Sequence, residues 1–137
     1  MSRVVVLDCE ALSSLARPRS RRSKEVRAAV EAARRLRREV IVPAVVLAEL
    51  YRGAGRNQVV DACLARETGL MVRDTDRPMA RLVGGVLAAA HAGSADLADA
   101  HVVAAAVEQG GGVVLTGDPD DLQRLSAGFP GLHIEAI

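Results

Sequence analysis

Residues 94–121, SADLADAHVVAAAVEQGGGVVLTGDPDD, read as a helix carrying two acids, a glycine turn, and a short apolar strand that stops at a further acid. Ser94 is suited to cap the helix, and Asp96 and Asp99, three residues apart, share a helix face. Val113 to Leu115 is β-branched or apolar and bounded by turn residues, as a strand should be. Asp118 then follows a strand's carboxyl end, which is where open α/β sheets place their chemistry.

The flanking sequence repeats the alternation. Arg3 to Leu7 is a continuous apolar run of the kind that forms a parallel strand buried on both faces, and it ends at Asp8. A short helix is predicted over Glu10 to Arg17, a turn or exposed loop over Arg17 to Ser23, and a second helix from near Ser23 to about Arg38. That helix turns Val26, Val30, Ala33 and Leu36 inward and arginine outward. Val40 to Val42 is the second strand. Pro43 suits the first turn of the next helix, whose apolar residues Val45, Val46 and Leu50 leave Glu49 conspicuous, with Gly53 and Gly55 ending it. Further helices are predicted over Asn57 to Glu67, from Thr75 or Asp76 to about Ala92, and from Asp118 to near Gly128, with strands near Leu70 to Val72 and over Leu132 to Ile134. Strands alternating with helices imply a parallel sheet with helices on both faces. No repeat or inter-domain linker interrupts residues 1–137, which read as one domain.

A chain of 137 residues suffices for a core without disulfides or structural metal, since domains of that size bury roughly 68–70% of their unfolded surface. Half its residues are hydrophobic, but Tyr51 and Phe129 are its only aromatics, so stacking platforms for bases are nearly absent. Cys9 and Cys63 belong to no C-x-x-C or Cys/His pattern, which argues against zinc and fits a reduced, cytoplasmic setting. No apolar run is long enough to cross a bilayer, and the first residues lead into a strand without the layout of a signal peptide.

The net charge of +1 hides an asymmetry. Ten basic residues lie between Arg17 and Arg38 against Glu25 and Glu31, while eight acids lie between Asp74 and Asp121 against Arg77 and Arg81. A positive and a negative surface together suit a polyanion held beside a cation.

Four acids stand out by their surroundings. Asp8 and Asp118 end strands, and Glu49 and Asp99 interrupt apolar helices, so all four converge if the first and fourth strands are neighbours. Clustered carboxylates raise one another's pKa in a low-dielectric cleft unless a cation offsets them. With oxygen ligands and no His or Cys in motif spacing, Mg²⁺ or Mn²⁺ is favoured over zinc. Such ions polarise a phosphoryl oxygen and acidify bound water, which points to phosphodiester hydrolysis.

Taken in order, Val5-Val6-Leu7-Asp8, Pro43 with Glu49-Leu50, Asp96-x-x-Asp99-Ala100-x-x-Val103 and Val114-Leu115-Thr116-Gly117-Asp118 resemble the PIN domain, especially toxins of VapC type, over almost the whole chain. The resemblance implies an α/β/α sandwich with a five-stranded parallel sheet in the order 3-2-1-4-5. It also implies a Mg²⁺- or Mn²⁺-dependent endoribonuclease, usually a homodimer, inhibited by a cognate antitoxin. On that basis Asp8, Glu49, Asp99 and Asp118 form the acidic quartet, and Thr116 is the hydroxyl of a Thr-x-Asp element. Glu10 stands where many members carry a small polar residue, and is either a further outer carboxylate or a first-turn helix acid.

Plainer readings stand beside these. Asp96, placed at the second helical position, is explained by the helix dipole alone or joins the metal site, whereas Asp99 lies a turn deeper. Asp118 can serve as a helix cap, with Asp121 completing a box-like pattern. His101 suits packing better than proton transfer. The arginine-rich stretch is either a solvated face or a phosphate contact for RNA. Arg52 and Arg56, just after Glu49, suit substrate or an inserted partner peptide. A catalytically silent nucleic-acid or protein-binding module is the alternative function, although it has no need of self-repelling carboxylates. A phosphoaspartyl protein fits poorly, because the only lysine is Lys24.

Overall fold

The computed structural model describes residues 3–17 and 20–137. Pro18 and Arg19, part of the expected loop and basic stretch, lie outside the described residues. Five parallel strands form one sheet in the order β3-β2-β1-β4-β5: β1 (Val4–Leu7), β2 (Val40–Pro43), β3 (Leu70–Arg73), β4 (Gly112–Thr116) and β5 (Leu132–Ala136). The apolar runs fit the three central places. β1 and β2 are buried along their full length and β4 nearly so, while β3 and β5 are half-exposed edges. This is the sheet expected from the sequence.

Seven α-helices lie among the described residues. Helices α1 (Cys9–Ala16), α2 (Arg21–Arg35) and α4 (Ala54–Arg66) pack together, with α1 against β1 and β4. Helices α5 (Arg77–Ala89), α6 (Leu97–Val107) and α7 (Pro119–Ser126) pack together, with α6 against β1, β2, β4 and β5. The short α3 (Ala44–Leu50) touches α1, α4 and α6. Ala100 to Ala106 of α6 are all buried, so this helix lies inside the protein on every side. Its small side chains let it sit close to the sheet, and the core around it is almost wholly Val, Leu and Ala.

Local chemistry moves several boundaries from their expected places. Ser20 caps α2 by accepting from the Ser23 N–H at 3.0 Å, so the helix begins at Arg21 and Ser23 is buried inside it. It ends at Arg35 because Arg37 turns to a positive φ of 56°. Pro43 closes β2 instead of entering α3. Gly53, at φ 112°, precedes α4, which takes in Gly55; neither glycine ends α3, which stops at Leu50. Asp76 caps α5, accepting from the Met79 N–H, and α5 ends at Ala89 instead of near Ala92.

The largest change is in residues 94–121. Ser94 does not cap the helix. Residues Ser94–Asp96 form a 3₁₀ turn, and α6 starts at Leu97 with Asp96 in the capping position, its side chain making no cap hydrogen bond. Asp99 therefore lies in the first turn of α6 instead of a turn deeper. At the other end, Gly111 has φ 120°, and a Cβ there would come within 2.5 Å of the Gly131 carbonyl oxygen. Only glycine fits that turn, which brings α6 back to β4.

The chain order reverses between β1 and β4. Leu7 is in register with Leu115, and the Asp8 N–H donates to the Leu115 carbonyl at 3.2 Å. The carboxyl ends of these two strands thus open side by side at the topological switch point, where such sheets bind ligands.

Candidate functional site

Asp8 follows β1 and caps α1, its Oδ1 accepting from the Ala11 N–H at 2.8 Å. It is only 5% exposed. Burial pushes its carboxyl pKa up; hydrogen bonds from the Thr116 hydroxyl, Ala11 and Gly117 pull it down, while nearby Glu10 adds to the rise. Thr116 is fully buried and its Oγ1 also accepts from the Asp118 N–H at 2.8 Å. The expected Thr-x-Asp element is thus a turn that ties Asp8 to Asp118. Its hydroxyl faces Asp8 and Asp118.

Asp99 reports the convergence most directly. A carboxylate in a helix's first turn is ordinarily favoured by the dipole, yet the Asp99 carboxyl is pushed up to about 6. Burial is the largest cause, and Asp8, Asp121, Asp118 and Glu49 add to it in that order. Acids carried by α3, α6, the residue after β1 and the start of α7 therefore share one field. Asp118 is exposed, makes no cap bond for α7, and is shifted upward chiefly by a hydrogen bond with Asp121. Glu49 is exposed on α3, and its Oε2 accepts from the Cys9 thiol at 2.9 Å.

Asp121 is a site residue that sequence reasoning treated only as part of a helix-start pattern. One oxygen each of Asp96, Asp99 and Asp121 lie within 4.8 Å of one another. Arg124 reaches the same place: its Nη2 donates to Asp96 Oδ1 at 2.9 Å and to Asp121 Oδ1 at 3.3 Å. The spacing Asp118, Asp121, Arg124 puts all three on one face of α7, a signal available in the sequence. The pairing with Asp96, from the turn before α6, was not.

Glu10 lies at the rim. A Cβ on Gly117 would overlap its carboxylate, and Arg22 Nη1 donates to Glu10 Oε2 at 3.0 Å. Arg52 Nε donates to the Glu49 carbonyl oxygen at 3.1 Å. Arg56 lines a groove of about 400 Å³ with Ser13, Ala16, Arg17, Leu50 and Val59. His101 is buried and directs Nδ1 to the Leu97 carbonyl oxygen at 2.8 Å, so it packs within α6.

The described part of the basic stretch runs from one end of the sheet to the other. Arg22 stands at the carboxyl end of the sheet beside Glu10. Arg38 lies near Val5 and Val113, and the Val5 N–H donates to the adjacent Glu39 carbonyl at 2.9 Å, so the far end of α2 is at the amino end of the sheet. Arg34 is committed to Glu67 at 2.8 Å. Among the described residues, no helix is long and apolar enough to cross a membrane.

A family model described as the PIN domain matches residues 5–128. No curated protein matches the chain. Among solved structures, DNA-bound VapBC from Salmonella typhimurium is similar, with a TM-score of 0.69 at 19% identity, covering 99% of this chain and 98% of that one. VapBC2 from Rickettsia felis, bound to a promoter DNA fragment, gives a TM-score of 0.67 at 15% identity, covering 97% and 98%. FitAcB from Neisseria gonorrhoeae gives 0.60 at 18% identity, covering 96% of each chain.

Proposed function

Because this chain belongs to the PIN-domain family, we propose that it is a divalent-metal-dependent endoribonuclease, the toxin of a toxin–antitoxin pair acting in the cytoplasm. The observation that carries the reading is the field at Asp99, where burial and four other acids act together. Such an arrangement disfavours its own ionised form and is relieved by a cation. The donor set fits a hard ion: it is carboxylate oxygen throughout, His101 is turned to a carbonyl, and the Cys9 thiol is engaged by Glu49. That chemistry favours Mg²⁺ or Mn²⁺ over zinc.

Asp8, Glu49, Asp99 and Asp118 would hold the ion, with Asp96 and Asp121 at the outer side. When bound, the ion supplies Lewis-acid polarisation of a phosphoryl oxygen and a water of lowered pKa. The remaining work belongs to the chain. Asp8 and Asp118 are held at fixed spacing by the Thr116 hydroxyl. Arg52 and Arg56, on the Glu49 side, would pair with phosphates of the RNA. Glu49 is exposed at the mouth of the site, its Oε2 held by the Cys9 thiol.

The antitoxin belongs to the same reading, since the similar solved structures include VapBC complexes and a toxin–antitoxin complex from Klebsiella pneumoniae. The groove at Leu50, Arg56 and Val59 suits a partner segment with an apolar and an acidic residue. A homodimer would cover apolar surface such as Met71, which is 51% exposed on edge strand β3.

Purified protein should cut RNA with Mg²⁺ or Mn²⁺, and Asp8→Asn or Asp99→Asn should abolish cutting while leaving the melting transition cooperative. Metal-dependent cleavage that survives both substitutions would sink the assignment, and a wild type that binds RNA without cutting it would favour the silent module.

A further inference from the structure

Arg124 is drawn into the acidic site. Its guanidinium spans Asp96, from the turn before α6, and Asp121, in the first turn of α7, at 2.9 and 3.3 Å. Both carboxylates also lie within ligand distance of Asp99. Arg124 therefore neutralises Asp96 and Asp121, while Asp8 and Glu49, held by the Ala11 N–H and the Cys9 thiol, pair with no arginine among the described residues.

We propose that Arg124 is a built-in counter-ion that holds Asp96 and Asp121 in the metal-free protein and competes with a divalent cation for them. This rests on the metal-dependent reading above. Charge arithmetic supports competition: both ions seek the same two carboxylates, and a guanidinium and a divalent cation this close would repel. Geometry supports it too. The Arg124 side chain is 45% exposed, so it can swing into water without breaking the core, whereas Asp96 is only 20% exposed and stays in place. Arg124 would thus set how readily the outer carboxylates join the cation site, making it a positioning residue instead of a catalytic one.

The test is calorimetric titration of Mn²⁺ alone into wild type, Arg124→Gln and Arg124→Lys. Exposed ion pairs are individually modest, so Arg124→Gln should bind about three- to tenfold more tightly than wild type. Arg124→Lys, which keeps the charge, should remain near wild type. Equal or weaker binding by a folded Arg124→Gln overturns the inference. If that variant does not fold, the side-chain ¹⁵N resonances of Arg124 in the wild type decide. They should move to free-guanidinium positions as Mg²⁺ saturates, and resonances that stay put overturn the competition. A wild type that binds neither ion removes the metal reading itself, and this inference with it.

Discussion

The Cys9 thiol donates to the Glu49 carboxylate across 2.9 Å, tying the first turn of α1 to the last turn of α3. A thiol so placed is a poor nucleophile. Burial pushes its pKa up, and the hydrogen bond to Glu49 together with the charges of Glu49, Asp8 and Asp99 pushes it further. Since the thiolate is the reactive form, Cys9 should resist iodoacetamide at neutral pH, and so should Cys63, whose thiol is also raised by burial. Glu49→Gln should speed alkylation of Cys9 and leave Cys63 unchanged. Mass spectrometry of the two cysteine peptides over time checks this; equal acceleration at both would indicate general loosening instead.

Asp99 gives a pH dependence with a definite sign. Its carboxyl is raised to about 6, above the ordinary 3.8, so the folded protein binds this proton more tightly than the unfolded chain does. Its contribution to stability is then fully present below about pH 4 and is lost as pH rises through about 6. Asp8 and Asp118 are raised too and act in the same direction, while Asp76, lowered by the Met79 N–H and Arg73, opposes them. The informative quantity is the difference between metal-free wild type and Asp99→Asn, because asparagine stays neutral. That difference should grow in favour of the variant between pH 4 and 7, by about 3–5 °C in Tm after discounting for partial exposure. Scanning calorimetry in chelator measures it; parallel pH profiles would show that the raised carboxyl lies elsewhere.

The strands were legible because buried parallel strands carry unbroken apolar runs, as Val4 to Leu7 and Val40 to Val42 do, while their order came from the family resemblance. Asp8 was legible for a related reason: an acid directly after such a run must sit at a strand end. Asp96 was legible as a candidate, but its place was not, because that depends on where a helix begins. Ser94 satisfies the composition of a cap, yet the chain makes a 3₁₀ turn and starts α6 at Leu97. That shift aims Asp96 at Arg124 and places Asp99 in the first turn. Asp121 and Arg124 share a helix face by their spacing, but their meeting with Asp96 comes from the packing of α7 against α6, which no local pattern encodes. The basic stretch left its two readings open, because a continuous run of sequence maps to both ends of α2.

That separation sets up a test of which arginines meet RNA. At about 1.5 Å per residue, the fifteen residues of α2 extend about 22 Å. Arg37 and Arg38, beyond its last turn, therefore stand about 20 Å from Arg22, more than two Debye lengths of about 8 Å at physiological salt. Arg22 stands beside Glu10 at the carboxyl end of the sheet. A single-stranded RNA lying across the site would have its phosphates near Arg22, and each phosphate neutralised contributes about 0.7 to the slope of log K against log salt. In an Asp8→Asn background, which should bind without cutting, Arg22→Gln should lower that slope by about 0.7. The double substitution Arg37→Gln with Arg38→Gln should leave it unchanged for a short oligonucleotide. Fluorescence anisotropy over a salt series distinguishes the two. A lower slope in the Arg37/Arg38 variant alone would place the RNA across the amino end of the sheet, and the acidic site would then have to reach a distant part of the strand.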